Sequence, residues 1–249
     1  MQNLARIYAL SRRNITLRYK NSIAGFFWGF FKPLLYLLIF IVIFSSQFTS
    51  VGNYVLYATS GLIIWFFFAN LTSQSVAGIV GSSGLIKAIN LPVVLFPVSE
   101  MIGELFNLFL TLLVYFVVMY WFGMVYSFSL LLIIPATMLF SVFALGITLM
   151  LSSLNVFFRD VGILWNTMMP ALFYLTPIAY PENLIPERFK YVISYNPIYY
   201  FIRLCRTILF GAQNPPLSLW VNCVIISVVF FLVGWIIFRK LKNQFISAI

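Results

Sequence analysis

The chain has 249 residues, of which 63% are hydrophobic and 8% charged, with a formal net charge of +10. A soluble domain carries about 25% charged residues, so the composition excludes a soluble fold and makes lipid the solvent. There is no His, hence no His base and no His metal ligand, and two cysteines, Cys205 and Cys223, are too few for a zinc or iron–sulfur site.

Residues 1–25 do not read as a signal peptide, because Arg6, Arg12, Arg13, Arg18 and Lys20 are spread through the whole segment rather than gathered ahead of an apolar core. On a helical wheel Leu4, Ile7, Tyr8, Ile15, Tyr19 and Ile23 share one face, and Arg6, Arg13 and Lys20 share the other. This predicts an amphipathic helix lying in the membrane interface.

Three uncharged runs follow, residues 33–86, 105–158 and 207–238. A spanning helix needs about 20 apolar residues, so each of the two longer runs holds two spans. The expected fold is an all-α integral membrane protein with six transmembrane helices at 29–49, 56–78, 97–121, 129–154, 162–180 and 218–238. With the N-terminus inside, 11 of the 15 basic residues fall on the cytoplasmic side, so the positive-inside rule places both termini in the cytoplasm. The net charge is thereby a matter of topology, and no soluble basic domain exists to bind nucleic acid.

Between the second and third spans the chain reads Gly-Ser-Ser-Gly-Leu-Ile-Lys-Ala-Ile-Asn-Leu-Pro. Ser82 or Ser83 can cap a short helix and Pro92 lies beyond its end, which predicts a helix over 84–90 below the membrane. Glu100 and Glu104 then sit one turn apart near the inner end of the third span. A proton relay would need partners deeper in the bilayer, so a structural role is expected.

The segment 181–217 separates the last two spans. Seven of the 11 prolines lie in it or at the end of the fifth span, and between them run two apolar stretches, 188–195 and 198–210, too short to cross. Backbone of this kind at membrane depth must be buried in protein or line a cavity. A pair of short re-entrant helices in the outer leaflet is the expectation.

Aromatic residues make up 19% of the chain. Tyr36, Phe40 and Phe44 share a face of the first span; Trp165 and Phe173 share one of the fifth, with Tyr174 on the neighbouring stripe. Flat apolar rings with a polar handle suit sugar rings, so these six residues are candidates for contact with a sugar chain. Arg159 and Asp160 stand together at the inner mouth between spans four and five. They are candidates for an inner gate or for holding a pyrophosphate lipid head, since Arg matches phosphate geometry. The chain holds no G-x-x-x-x-G-K-[ST] motif, so it cannot hydrolyse a nucleotide, and energy must come from a partner or an ion gradient. An ion-coupled secondary transporter would need inverted repeats and polar midplane residues, and no internal repeat is visible.

Three stretches, Arg-Tyr-Lys-Asn-Ser-Ile-Ala-Gly-Phe-Phe-Trp (18–28), Leu-Asn-Val-Phe-Phe-Arg-Asp-Val (154–161), and the region from Thr-Pro-Ile-Ala-Tyr to Tyr-Asn-Pro (176–197), resemble the ABC-2 type permeases that export bacterial polysaccharides. The O-antigen branch is most similar, with capsule and teichoic acid exporters close. The resemblance implies a homodimer in the bacterial inner membrane that moves a lipid-linked polysaccharide, driven by two copies of a cytoplasmic ATPase that bind ATP and Mg. It implies that the first and fifth spans line the glycan channel, and that the outer segment forms its exit. It also implies that the N-terminal helix, with Arg6, Arg13 and Lys20, and the first cytoplasmic loop, with Leu85, Ile86, Lys87, Ala88 and Ile89, receive the ATPase stroke.

Overall fold

The computed structural model describes residues 2–19, 52–89, 91–124 and 126–248, together with positions 35, 36, 38, 39, 42 and 43. Lys20, Phe40, Phe44 and most of the expected first span lie outside the described residues. What is described is helical, with no strand among the described residues. Helix α1 runs Gln2–Tyr19, α2 Tyr54–Gly81, α3 Ser83–Ile89, α4 Leu95–Trp121, α5 Ile133–Phe157, α6 Asp160–Leu175, α7 Lys190–Ser194, α8 Pro197–Leu209, α9 Leu217–Leu241 and α10 Phe245–Ala248.

Four of these helices are long and apolar enough to cross a membrane: α2, α4, α5 with the 3-10 turn before it, and α9. The fifth expected span is shorter than the sequence suggests. Helix α6 has 16 residues, about 24 Å at 1.5 Å per residue against a hydrocarbon core of about 30 Å. It stops at Leu175 because the next residues, Thr176 and Pro177, leave the helix, and Pro disfavours helical geometry in the residue before it.

Helix α2 is the centre of the bundle, since residues on every face of its N-terminal two-thirds are buried, from Leu56 through Phe68 to Thr72. It packs against α4, α5, α6 and α8. Stacked phenylalanines join three of these elements. Phe143 of α5 lies 5.9 Å from Phe68 of α2 and 4.9 Å from Phe201 of α8, with interplanar angles of 17° and 26°. Phe140 of α5 lies 4.9 Å from Phe201. Offset ring pairs add about 1 kcal/mol each to the area they bury.

Helices α5 and α9 form the most extensive pair in the fold. They cross where Gly146 faces Gly234. A Cβ built on Gly146 would stand 2.5 Å from the Phe230 carbonyl oxygen, and one on Gly234 would strike the backbone of Gly146. Small residues permit such backbone approach between apolar helices. About two turns earlier in α9, the Ser227 hydroxyl donates to the Leu139 carbonyl across the same seam at 2.9 Å.

A second apolar cluster gathers the end of the bundle where both termini meet. Leu10 of α1, Ile79 of α2, Ile86 of α3, Leu95 and Phe96 of α4, Val156 of α5, Phe238 of α9 and Phe245 of α10 pack together. On α1, Leu10 and Ser11 are buried and Ile7 is half-buried, while Tyr8, from the apolar stripe of the helical wheel, is exposed.

Candidate functional site

The segment after α6 is held in a row of hydrogen bonds from α2 and α8. Four successive carbonyls, of Pro177, Ile178, Ala179 and Tyr180, each accept from a side chain. Arg206 of α8 donates to Pro177 O at 2.9 Å and also to Ile178 O. The Tyr54 hydroxyl donates to Ala179 O at 2.9 Å, and the Tyr57 hydroxyl to Tyr180 O at 3.1 Å. Arg206 further donates to the Tyr57 hydroxyl at 2.9 Å, with its guanidinium 4.0 Å from the centre of that ring.

Arg206 is only 7% exposed, and all its hydrogen-bond partners among the described residues are neutral. Its Nε is buried without one. Burial pushes its guanidinium below the ordinary value, opposed by the nearby Tyr57 phenol and Glu182 carboxylate; an arginine nonetheless stays charged. The space for it comes from Gly61 of α2, where a Cβ would collide with Arg206 Nη2 and come within 2.6 Å of Ile178 O.

The way α8 starts explains the Tyr-Asn-Pro sequence. Asn196 is the N-cap, its Oδ1 accepting from Ile198 N at 3.0 Å, and its Nδ2 donates to Thr176 Oγ1 at 2.8 Å. Pro197 occupies the first helical position, where its missing N–H costs nothing. One face of α8 then carries Tyr199, Arg203 and Arg206. Tyr199 donates to Glu182 Oε2 at 2.9 Å and accepts from Arg203 at 3.1 Å. Burial, together with the Glu182 bond, pushes the Tyr199 hydroxyl up to about 12.

At the opposite end of α6, Asn155 explains the Asn-Val-Phe-Phe-Arg-Asp stretch. Its Nδ2 donates to Val76 O of α2 at 3.0 Å, and its Oδ1 accepts from Gly162 N at 3.0 Å. The turn between α5 and α6 is thereby tied to α2. Arg159 and Asp160 project from this turn, both exposed, with Asp160 in the first turn of α6, where a carboxylate favours the helix dipole.

Among the expected channel residues, Tyr36 and Phe173 are brought together, with ring centres 6.0 Å apart. Tyr36 also meets Phe66 at 5.3 Å. Phe173 is buried beside Trp65 at 5.5 Å, and the half-buried Trp165 leans on Phe68 at 6.2 Å. Tyr174 turns the other way and is 70% exposed. In α3, Ile86 is buried and Leu85 half-buried, while Lys87 and Ala88 are exposed. Arg6 and Arg13 are exposed on α1.

One feature escaped sequence reasoning, and a second gains its partners only from the structure. Arg206 counted there only as one of four basic residues on the outer side; its position on an apolar stretch was the available signal. Glu104 is 1% exposed and accepts from Gln74 at 2.9 Å and from Asn107 at 3.3 Å, a polar knot between α2 and α4. Such a knot satisfies the carboxylate inside the protein, in keeping with the structural role expected of it.

Residues 5–210 match the ABC-2 type transporter family. The chain is 30% identical, over 96% of its length and 93% of the relative's, to the O-antigen export system permease protein RfbA of Klebsiella pneumoniae. It is 23% identical to the protein of the same name from Myxococcus xanthus, over 98% of this chain and 95% of that one. It is also 23% identical to the capsule polysaccharide export inner-membrane protein CtrC of Neisseria meningitidis serogroup A, over 88% and 86% of the two chains.

Proposed function

Because the chain belongs to the ABC-2 type transporter family, we propose that it is the membrane permease of an exporter that carries lipid-linked O-antigen polysaccharide across the bacterial inner membrane. The similarity to the O-antigen permease over nearly the full length of both chains carries this reading. A cytoplasmic ATPase binds ATP and Mg and supplies the energy, since the permease has no phosphate-binding loop of its own. Two copies of the permease form the channel, each crossing the bilayer six times with both termini in the cytoplasm. The short helices α7 and α8 are the re-entrant pair at its outer end.

In this reading α3 is the contact with the ATPase. Ile86 anchors it to the apolar cluster shared with α1 and α10, and the exposed Lys87 and Ala88 meet the partner. Arg6, Arg13 and Lys20 rest on lipid headgroups beside it, and Arg159 and Asp160 attend the lipid head at the inner mouth. The test combines deletion with cross-linking. Removal of the gene should strip polysaccharide from the cell surface while it accumulates inside. Lys87→Cys and Ala88→Cys should cross-link to the ATPase; an assembled complex that cross-links at neither position overturns the docking, and undiminished surface polysaccharide overturns the function.

The channel reading separates neighbouring rings. Tyr36, Phe40, Phe44, Trp165, Phe173 and Tyr174 form the wall in this proposal, with Phe173 and Trp165 giving it stiffness and Tyr174 presenting its ring to the glycan. Transport needs contacts strong enough to admit a chain and weak enough to release it. Tyr174→Leu should therefore slow polysaccharide export without lowering the melting temperature. Phe173→Leu should lower melting through lost contacts with Trp65 and Tyr36. Normal export rates in Tyr174→Leu would remove Tyr174 from the pathway.

A further inference from the structure

The outer end of the fold contains a cleft that none of the roles above uses. It has a volume of about 430 Å³, within the range of small-ligand sites, and lies between α2, the turn at 181–183 and the C-terminal end of α8. Its wall has two kinds of surface. Phe210 and Tyr57, edge to face at 5.5 Å, provide aromatic carbon. Planar polar groups line it too: the Glu182 carboxylate, the Asn183 and Gln213 amides, and the Arg203 and Arg206 guanidinium groups.

Several of these groups are held in place yet still open. Glu182 and Arg203 are both braced by Tyr199, while the Arg203 side chain remains 53% exposed and that of Glu182 39%. Asn183 and Gln213 are exposed at the rim. The rim is built at a conformational cost, because Ala212 holds φ 46°, a left-handed conformation that residues with a Cβ rarely adopt. That turn lets Gln213 N donate to Thr207 O at 3.2 Å and folds the chain back over α8. Local strain of this sort gathers at binding sites. Arg206, almost fully buried, also borders the cleft, and its hydrogen bonds all go to neutral acceptors.

The geometry points to a sugar-binding site in this cleft, taking one pyranose unit of the glycan as it leaves the channel. Adjacent hydroxyls of a pyranose pair with planar carboxylate, amide and guanidinium groups, and its C–H face lies on an aromatic ring. Glu182 accepts from hydroxyls, and Arg203, Asn183 and Gln213 donate to them. The inference rests on the exporter reading and adds to it a station outside the channel wall. The acid, the amides and the aromatic carbon together suit a hydroxyl-rich sugar.

The test uses the intact exporter in its host. Photoreactive p-benzoylphenylalanine is introduced at Gln213 and, as a control, at Trp121, which is exposed at the end of α4 and does not line the cleft. Cells are irradiated during export, and the purified permease is examined for attached polysaccharide and attached lipid. The expected result is severalfold more polysaccharide captured at position 213 than at 121, falling when the ATPase is inactivated and when Asn183→Ala is added. Capture of phospholipid instead, equal capture at both positions, or none at 213 while export proceeds would overturn the sugar site and leave the exporter standing. If the unmodified chain restores no export to a deletion strain, the exporter reading fails and the site fails with it.

Discussion

Arg206→Ala is expected to lower the melting temperature of the purified permease by roughly 6–12 °C, taking about 3 kcal/mol or more of lost stability and 2–4 °C per kcal/mol for a chain of this size. The truncation leaves the Pro177 and Ile178 carbonyls without their donor inside the protein, and each buried unpaired carbonyl costs about 1–3 kcal/mol. It also removes the cation from the Tyr57 ring. Tyr57→Phe deletes the hydroxyl that donates to Tyr180 O and accepts from Arg206, so it should cost about 2 kcal/mol. Arg206→Lys should fall between the two, because a single ammonium does not reproduce the guanidinium fork. Gly61→Ala should resemble Arg206→Ala, and the two should be less than additive when combined, since the collision at Gly61 is partly with the guanidinium itself. Melting curves unchanged within a degree for Arg206→Ala would show that the row of carbonyls does not need this residue.

Gly234→Val should prevent accumulation of a folded permease, and Gly146→Ala should destabilise it by about 3 kcal/mol, at the upper end of what overpacking costs. In both cases the added carbon meets backbone of the opposite helix rather than a movable side chain. The helices must separate along the most extensive seam in the fold, and the Ser227–Leu139 hydrogen bond lengthens with them. Gly78 is the control. It lies inside α2 with nothing within 4 Å of an added Cβ, so Gly78→Ala should be neutral or stabilising by up to about 1 kcal/mol. Protein level in the membrane and size-exclusion profiles in detergent distinguish these outcomes. Equal behaviour of Gly78→Ala and Gly146→Ala would remove the close crossing as the explanation.

The sequence alone determined the class of solvent, the all-helical fold and the kinship with polysaccharide permeases. It also located the short elements between the long ones, because Pro, Gly, Ser and Asn mark helix ends whatever surrounds them. Asn196 before Pro197 is such a signal, and the structure has it capping α8. Only the tertiary structure decided which aromatic rings are core, that α2 lies at the centre, which side of α1 is covered, and that Arg206 is enclosed. The physical reason is the solvent. In water, an apolar stripe points to the core, but in lipid the face toward the membrane is as apolar as the face toward the protein. Hydrophobic periodicity then ceases to identify the buried side, as Phe173 and Tyr174 illustrate: neighbouring aromatic residues, one inside the core and one facing out. Inside versus outside is set by close approach and polar pairing, between Gly146 and Gly234 and around Gly61 and Arg206, and these pairs come from helices distant along the chain.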